Sequence, residues 1–417
     1  MVIAKRLLAF RDGFSSTFWI ANTLELFERL AFYGMKAVLT VYLANKVGLN
    51  EDAGKLAGLF SGMIYLLPVL AGVLVDKYGF KKTLISCFFI FTIGYFLIGL
   101  AGMAYGEFIV NAVGKKPYVI VVLLLTAIGG SLIKPCIVGT VAMTSTEQTK
   151  GLGFSIYYTL VNFGGALGPI IALQVREEWG IEYVMIMSSI TTFLLLIGTI
   201  LFFKEPPVPA DMPRRTFGRV FSDMLLVFGN ARFMALILIM SGYWLMFWHI
   251  FYLLPFYGTD VLNFKKFELL ETVDAACIIF LTVPMTTLVR NWKPITAITG
   301  GLFVSALSWA IIGTFATLTA AIVGVAVWAL GEAMQTPRFY EYVSDLAPKG
   351  QVGTFMGFAF LPVALGSFGA GPVSDWLRTN YLHTDPSFMW YILTGIGLFC
   401  TLLMVIYNAV VMKEKRA

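Results

Sequence analysis

Glu25-Leu26-Phe27-Glu28-Arg29-Leu30-Ala31-Phe32-Tyr33-Gly34-Met35-Lys36 decides how this chain is read. The stretch sits inside an apolar run from about Thr17 to Val47, long enough to cross a bilayer. At helical spacing Glu25, Glu28 and Arg29 are i, i+3 and i+4, so they share one face. Tyr33 and Lys36 continue roughly the same stripe. Charges at membrane depth are costly unless they pair or face a polar cavity. Two readings follow: a Glu–Arg pair that locks helices together, or a proton and ligand site.

Around this stretch the chain is apolar nearly throughout. Of its 417 residues 58% are hydrophobic and only 13% charged, against roughly 25% in soluble domains. It reads as an all-α integral membrane protein with twelve spans, at about 17–46, 53–76, 81–104, 117–145, 150–175, 182–203, 232–261, 268–290, 294–315, 317–346, 351–377 and 386–411. The longest non-apolar stretch, Lys204 to Ala231, holds Pro206, Pro207, Pro209 and Pro213 and divides the spans six and six. The expected organisation is an N-terminal bundle over 1–203, a cytoplasmic linker over 204–231 and a C-terminal bundle over 232–417. Within the linker, Thr216 to Gly229 alternates Phe217, Val220, Phe221, Leu225 and Phe228 with Arg219 and Asp223, the pattern of a short helix lying on the membrane face.

Lys and Arg concentrate in the loops on the side of the N-terminus, as in Lys77, Lys81 and Lys82 and in Lys204, Arg214, Arg215, Arg219 and Arg232. The positive-inside rule then places both termini in the cytoplasm, in a plasma or bacterial inner membrane. Met1 to Ser16, with Lys5, Arg6, Arg11 and Asp12, lacks the core and cleavage site of a removable signal peptide and reads as a cytoplasmic lead-in with an amphipathic tendency. The net charge of +6 is spread out, with no basic block carrying interleaved aromatics, so nucleic acid is excluded as a partner. Cys87, Cys136, Cys277 and Cys400 lie in apolar runs, and His249 and His383 are the only histidines, so no metal site is expected. There is no enzyme signal and no phosphate loop for ATP-driven transport.

The two halves resemble each other weakly. Gly153-Phe154 to Gly168-Pro169 matches Gly357-Phe358 to Gly371-Pro372, and Gly129 to Pro135 matches Gly331 to Pro337, each with one gap. Tyr65-Leu66-Leu67-Pro68 parallels Leu281-Thr282-Val283-Pro284. Three matches in the same order, each offset by six spans, mark a duplicated transporter.

The loop after the second span carries Gly72, Leu74, Asp76, Lys77, Gly79, Lys81 and Lys82 and resembles the cytoplasmic motif of the major facilitator superfamily, with Phe80 where a basic residue is usual. Gly72 permits close helix approach, Asp76 can cap a helix or pair with a cation, and Gly79 permits a tight turn. Gly72, Asp76, Lys77 and Gly79 are therefore expected to form a conformational latch. The opening stretch narrows the resemblance. Glu25-x-x-Glu28-Arg29 with Phe32-Tyr33-Gly34-Met35-Lys36 resembles the ExxER and YYGMR signature of the proton-dependent oligopeptide transporter (peptide and nitrate transporter) family. Tyr65 to Pro68, Gly129 to Pro135, Gly153 to Ile156, Asn162, Gly164 to Pro169, Gly331-Glu332 with Pro337, Leu346 to Pro348 and Phe360-Leu361 are similar to other segments of that family.

The resemblance implies a facilitator fold of two pseudo-symmetric six-helix halves. It implies a switchable charge cluster for proton coupling at Glu25, Glu28, Arg29 and Lys134. It also implies that Lys36 and Lys134 hold a substrate carboxylate, Glu332 a substrate ammonium, and that Tyr33, Tyr65 and Asn162 line the pocket. If all ionise, Glu25, Glu28 and Glu332 balance Arg29, Lys36 and Lys134, a neutral set tolerable at depth. The chain departs from the family in its seventh span. Tyr243-Trp244-Leu245-Met246-Phe247-Trp248-His249 lacks the usual acid, leaving Lys36 without that partner and making His249 a further substrate-site candidate beside its bland alternative, a buried histidine bonded to the backbone. Asp274, early in the eighth span, or another group is expected to replace the missing acid. Arg338 and Glu341 can pair at the end of the tenth span, either as a gate or as a solvated helix end.

The expected function is proton-coupled import of small peptides or peptide-like zwitterions by alternating access, with protons as coupling ion, no cofactor, and membrane lipids as surroundings. A proton-antiporting exporter of drugs or lipophilic compounds is the transport alternative. A non-transporting membrane receptor or scaffold on the same fold is the alternative of another class.

Overall fold

A computed structural model describes residues 13–146, 149–207, 216–348 and 351–414. The lead-in residues Lys5, Arg6 and Arg11 and the linker residues Pro209, Pro213, Arg214 and Arg215 lie outside the described residues.

Twelve helical rods form one bundle: α1 Ser16–Val41, α2 Ala53–Leu66 with Pro68–Tyr78, α3 Phe80–Leu100, α4 Lys115–Ser131 with Ile133–Thr144, α5 Lys150–Glu178, α6 Ile181–Phe202, α7 Ala231–Tyr252, α8 Glu268–Val289, α9 Pro294–Phe315, α10 Leu318–Leu346, α11 Val352–Gly357 with Leu361–Tyr381, and α12 Pro386–Glu414. No strand occurs among the described residues. Among the described residues ten helices are long and apolar enough to cross a membrane, eleven when the two parts of α2 are taken as one span. α1 has the length of a span, but Glu25, Glu28, Arg29 and Lys36 lie within it.

Local chemistry sets many of the ends. Ser15, Thr216, Asn230 and Thr317 each accept a backbone N–H three residues on, starting α1, the linker helix Phe217–Phe228, α7 and α10. Several rods expected to be continuous are broken. α2 bends by 46° between Leu66 and Pro68, because proline has no N–H to continue the ladder and crowds the preceding turn. α4 is interrupted at Leu132 and α11 between Gly357 and Leu361. In the linker helix Phe217, Phe221, Leu225, Leu226 and Phe228 are exposed, whereas Val220 and Val227 are buried against the bundle.

A structural echo of the sequence repeat appears at the ends of α1 and α7. Both rods finish in a five-residue π-helical turn that begins with tyrosine, Tyr42–Lys46 and Tyr257–Val261. Tyr42 anchors its turn by donating to the Ile98 carbonyl at the end of α3 (2.6 Å).

The halves meet most closely where α2 begins and α11 ends. Gly58 and Gly371 face each other there. A Cβ on Gly58 would lie 2.7 Å from the Ser367 carbonyl oxygen, so only glycine lets the two backbones approach this closely. Ser367 donates to the Gly58 carbonyl (3.0 Å), and Tyr252 of α7 donates to the Ala57 carbonyl (3.1 Å). At the same end Asp375 accepts from the Gly54 and Lys55 amides, and Arg378 donates to the side chain and carbonyl of Asn50. Arg176 of α5 binds the carboxylate of Glu268 of α8 and the Lys265 carbonyl. These contacts seal the end of the bundle that the charge bias assigns to the outside.

Candidate functional site

α1 packs mainly against α5 and α6, then against the second part of α4, and touches α7 and α8. Helical spacing puts Glu25, Glu28 and Arg29 on one buried face, as their i, i+3, i+4 pattern requires. Arg29 Nε lies 2.5 Å from Glu28 Oε2 and 3.5 Å from Glu25 Oε1. Its guanidinium also lies over the rings of Phe32 and Tyr33, 4.8 and 5.8 Å from their centroids. One cation thus serves two carboxylates. Glu25 accepts no hydrogen bond, and neither does Glu28 Oε1, although all of these oxygens are buried.

Lys134, at the start of the second part of α4, forms no ion pair among the described residues. Its ammonium faces the rings of Tyr65 (5.0 Å) and Phe360 (4.9 Å) instead. The fields of Glu25 and Glu28 still reach it. The four expected coupling residues are therefore one electrostatic cluster in which Arg29 is paired and Lys134 is held by aromatic faces.

Lys36 lies one and two turns along α1 from Tyr33 and Arg29 and is 3% exposed. It too forms no ion pair among the described residues. Its Nζ sits 3.5 Å from the ring centroid of Phe251 and 4.1 Å from that of Trp248, with Tyr33 and Phe247 beyond 5 Å. The α7 segment that lacks an acid supplies an aromatic cage in its place. The acids whose fields reach Lys36 most strongly are Glu271 and then Asp274, both on α8. Asp274 or another group was expected to take the place of the missing acid, and Glu271 is a second acid acting on Lys36 beside it.

Beside this cage lies a small cavity of ≈ 80 Å³. Three expected pocket residues, Tyr33, Asn162 and Glu332, line it, together with Glu271, Asp274 and Phe247. Ligand pockets commonly enclose about 300–1,000 Å³, so a peptide-sized ligand requires the helices to part. Tyr65 lies outside this cavity, against Trp248 and Phe360. His249 lies outside it as well. It is fully buried, its Nδ1 is 2.8 Å from the Leu245 carbonyl, and its Nε2 has no partner. That is the bland arrangement of a histidine bonded to its own helix.

One acid escapes notice in the sequence. Glu271 lies one turn from Glu268 and a few residues after Lys265 and Lys266, where a solvated helix end is the natural reading. Yet the first turns of α8 pack inside the bundle, and Glu271 is 4% exposed with neither oxygen hydrogen-bonded. The set of six central charges expected to balance is in fact eight, with two more acids than bases. The signal was available in the spacing: Glu271, Asp274, Ala275 and Ile278 are i, i+3, i+4 and i+7, and all four line the cavity.

Of the motif expected in the loop after the second span, Gly72, Asp76 and Lys77 lie within the last turns of α2, and Gly79 makes the turn that ends it. Gly79 has φ +84°, and the carboxylate of Glu205, beyond α6, accepts from the Phe80 and Lys81 amides at 2.6 and 2.9 Å. It thereby caps α3. Asp76 and Lys77 are exposed, and Gly72 is buried. Arg338 and Glu341 pair at 2.6 Å, and Arg338 also donates to the Trp292 carbonyl beyond α8. This ties α10 to the α8–α9 loop within the second half and crosses no gate.

Known proteins agree with this architecture. The "Peptide transporter family 1" protein of Drosophila melanogaster is 28% identical over 212 residues, 46% of this chain and 27% of that protein. The chain thus spans well under half the length of that relative. Multidrug resistance protein MdtH of Aeromonas hydrophila subsp. hydrophila is 22% identical across 93% of this chain and 94% of its own. Among solved structures, a POT family transporter in complex with 5-aminolevulinic acid superposes with a TM-score of 0.77, covering 94% of this chain and 95% of the other at 16% identity. That likeness carries the fold. The family model described as Major Facilitator Superfamily matches residues 23–372. On that match, and on the twelve-helix bundle that houses it, the chain belongs to the Major Facilitator Superfamily.

Proposed function

We propose that this multi-pass membrane protein is a proton-coupled symporter that imports small peptides or peptide-like zwitterions. The observation that carries this reading is the buried cluster in which Arg29 holds both Glu25 and Glu28 while Lys134 stands within reach of their fields. Protonating one carboxylate weakens its hold on Arg29 and changes the balance of charge felt by Lys134. A ligand carboxylate can then compete for the freed cation. That exchange links a proton to a substrate without any cofactor.

The neighbouring cavity supplies the other polar contacts. Glu332 offers a carboxylate for a ligand ammonium, Tyr33 a hydroxyl and Asn162 an amide. Lys36, unpaired and caged by aromatic rings, is a cation for the ligand carboxylate. The likeness to peptide transporters supports this assignment. Both termini are placed in the cytoplasm, in a plasma or bacterial inner membrane. The loop residues Gly72, Asp76, Lys77 and Gly79 are assigned to a latch on the cytoplasmic side.

The full-length likeness to MdtH favours a second reading, proton-driven export of lipophilic compounds. Uptake by reconstituted liposomes under an imposed inward proton gradient separates the two. The panel is di- and tripeptides, nitrate and lipophilic cations. Gradient-dependent peptide accumulation is the expected result. Peptide-indifferent exchange of protons for lipophilic cations would replace it with the export reading.

A further inference from the structure

One face of α8 lines the cavity with Glu271, Asp274, Ala275 and Ile278, and Glu332 joins them from α10. Glu271 is more than nine-tenths buried, and its two carboxylate oxygens lack any hydrogen-bond partner. Asp274 Oδ1 and Glu332 Oε2 are likewise buried and unpartnered. Buried carboxylates need a compensating cation or donor.

The protein's three central cations, Arg29, Lys36 and Lys134, face five central acids. Arg29 is held by Glu25 and Glu28, and the same two acids act on Lys134. The strongest acidic field at Lys36 is that of Glu271. Asp274 and Glu332 share the field of that same Lys36 and feel one another's charge, and neither has an ion pair with any described residue. Phe247 and Phe251 also line the cavity, and aromatic faces stabilise cations. A simple zwitterion brings one ammonium and would satisfy one of these two acids.

Resting on the peptide-transport reading, we propose that the cavity selects substrates with two ammonium groups, such as a dipeptide with a lysine-like side chain, one ammonium meeting Glu332 and the other Asp274. The test uses the full chain in liposomes with an inward proton gradient, comparing Ala-Lys with the near-isosteric neutral Ala-Gln. The half-saturating concentration of Ala-Lys is expected to be at least tenfold lower than that of Ala-Gln. In Asp274→Asn the ratio should fall below about threefold, and in Asp274→Glu it should persist. A ratio taken within one preparation does not depend on how much of the variant folds. Equal handling of the two peptides by the unaltered protein would overturn the proposal, as would a preference that survives Asp274→Asn. Calorimetric titration with 1,4-diaminobutane separates this failure from failure of the peptide reading. Diamine binding that Asp274→Asn weakens tenfold, without any peptide uptake, would keep the dicationic site and sink peptide transport. Neither binding nor uptake would overturn both.

Discussion

Asp375 of α11 caps α2 across the boundary between the halves, its Oδ1 accepting from the Gly54 amide at 2.8 Å and its Oδ2 from the Lys55 amide at 2.9 Å. A carboxylate from one half thus satisfies the orphan N–H groups that open a helix of the other. Hydrogen bonds to a charged group are worth about 1.5–3 kcal/mol each. Asp375→Ala is expected to raise the population open at this end by about tenfold, or ~1.4 kcal/mol. Spin labels at the exposed positions Glu51 and Thr379 report it as a growing long-distance component. An unchanged distance distribution would contradict the assignment of Asp375 as a closing contact.

Arg176 and Glu268 join α5 to α8 at the same end, with the Glu268 side chain fully buried and that of Arg176 20% exposed. Partial exposure of the arginine lowers the coupling below the roughly 3–5 kcal/mol lost on breaking a fully buried pair. Glu268→Ala and Arg176→Ala should each lower the melting temperature, and the double variant should cost clearly less than the sum. Additive losses in that thermal double-mutant cycle would mean that the two residues do not stabilise the fold as a pair.

Gly58 has no room for a side chain, because the clash partner is the main-chain oxygen of Ser367. Gly58→Val should therefore push α2 from α11, lower the melting temperature by several degrees and cut uptake more than tenfold. Gly395→Ala in α12, where nothing lies within 4 Å of an added Cβ, is the matched control and should be close to neutral. Equal behaviour of the two variants would refute the close-approach account.

Glu28 is the carboxylate in shortest contact with Arg29. Glu28→Gln keeps the shape and removes the proton site. Exchange of labelled for unlabelled substrate should persist, while accumulation driven by a proton gradient should fall at least tenfold. Full gradient-driven accumulation in this variant would place coupling elsewhere.

The fold was legible because a bilayer demands long apolar helices, and the charge stripe Glu25–Glu28–Arg29 was legible because helical spacing alone puts those residues on one face. The breaks in α4 and α11 were not, since Leu132 and the segment after Gly357 look like any apolar turn in the sequence. Glu271 was missed for a physical reason. A carboxylate beside two lysines at a helix start has the local signature of solvated surface, and only the packing of α8 inside the bundle buries it. Lys36 was read correctly as lacking an acid on α7. That Phe247, Trp248 and Phe251 would stand around its ammonium depended on how α7 crosses α1, which no local pattern encodes.

The break between Leu66 and Pro68 divides the labour of α2. Its first part is pinned to α11 by Gly54, Gly58 and Asp375, and its second part carries Asp76 and Lys77 to the turn at Gly79. A straight rod would behave as a seesaw, each end moving whenever the other did. The bend at Pro68 means that a push on the pinned first part need not be passed straight along the second.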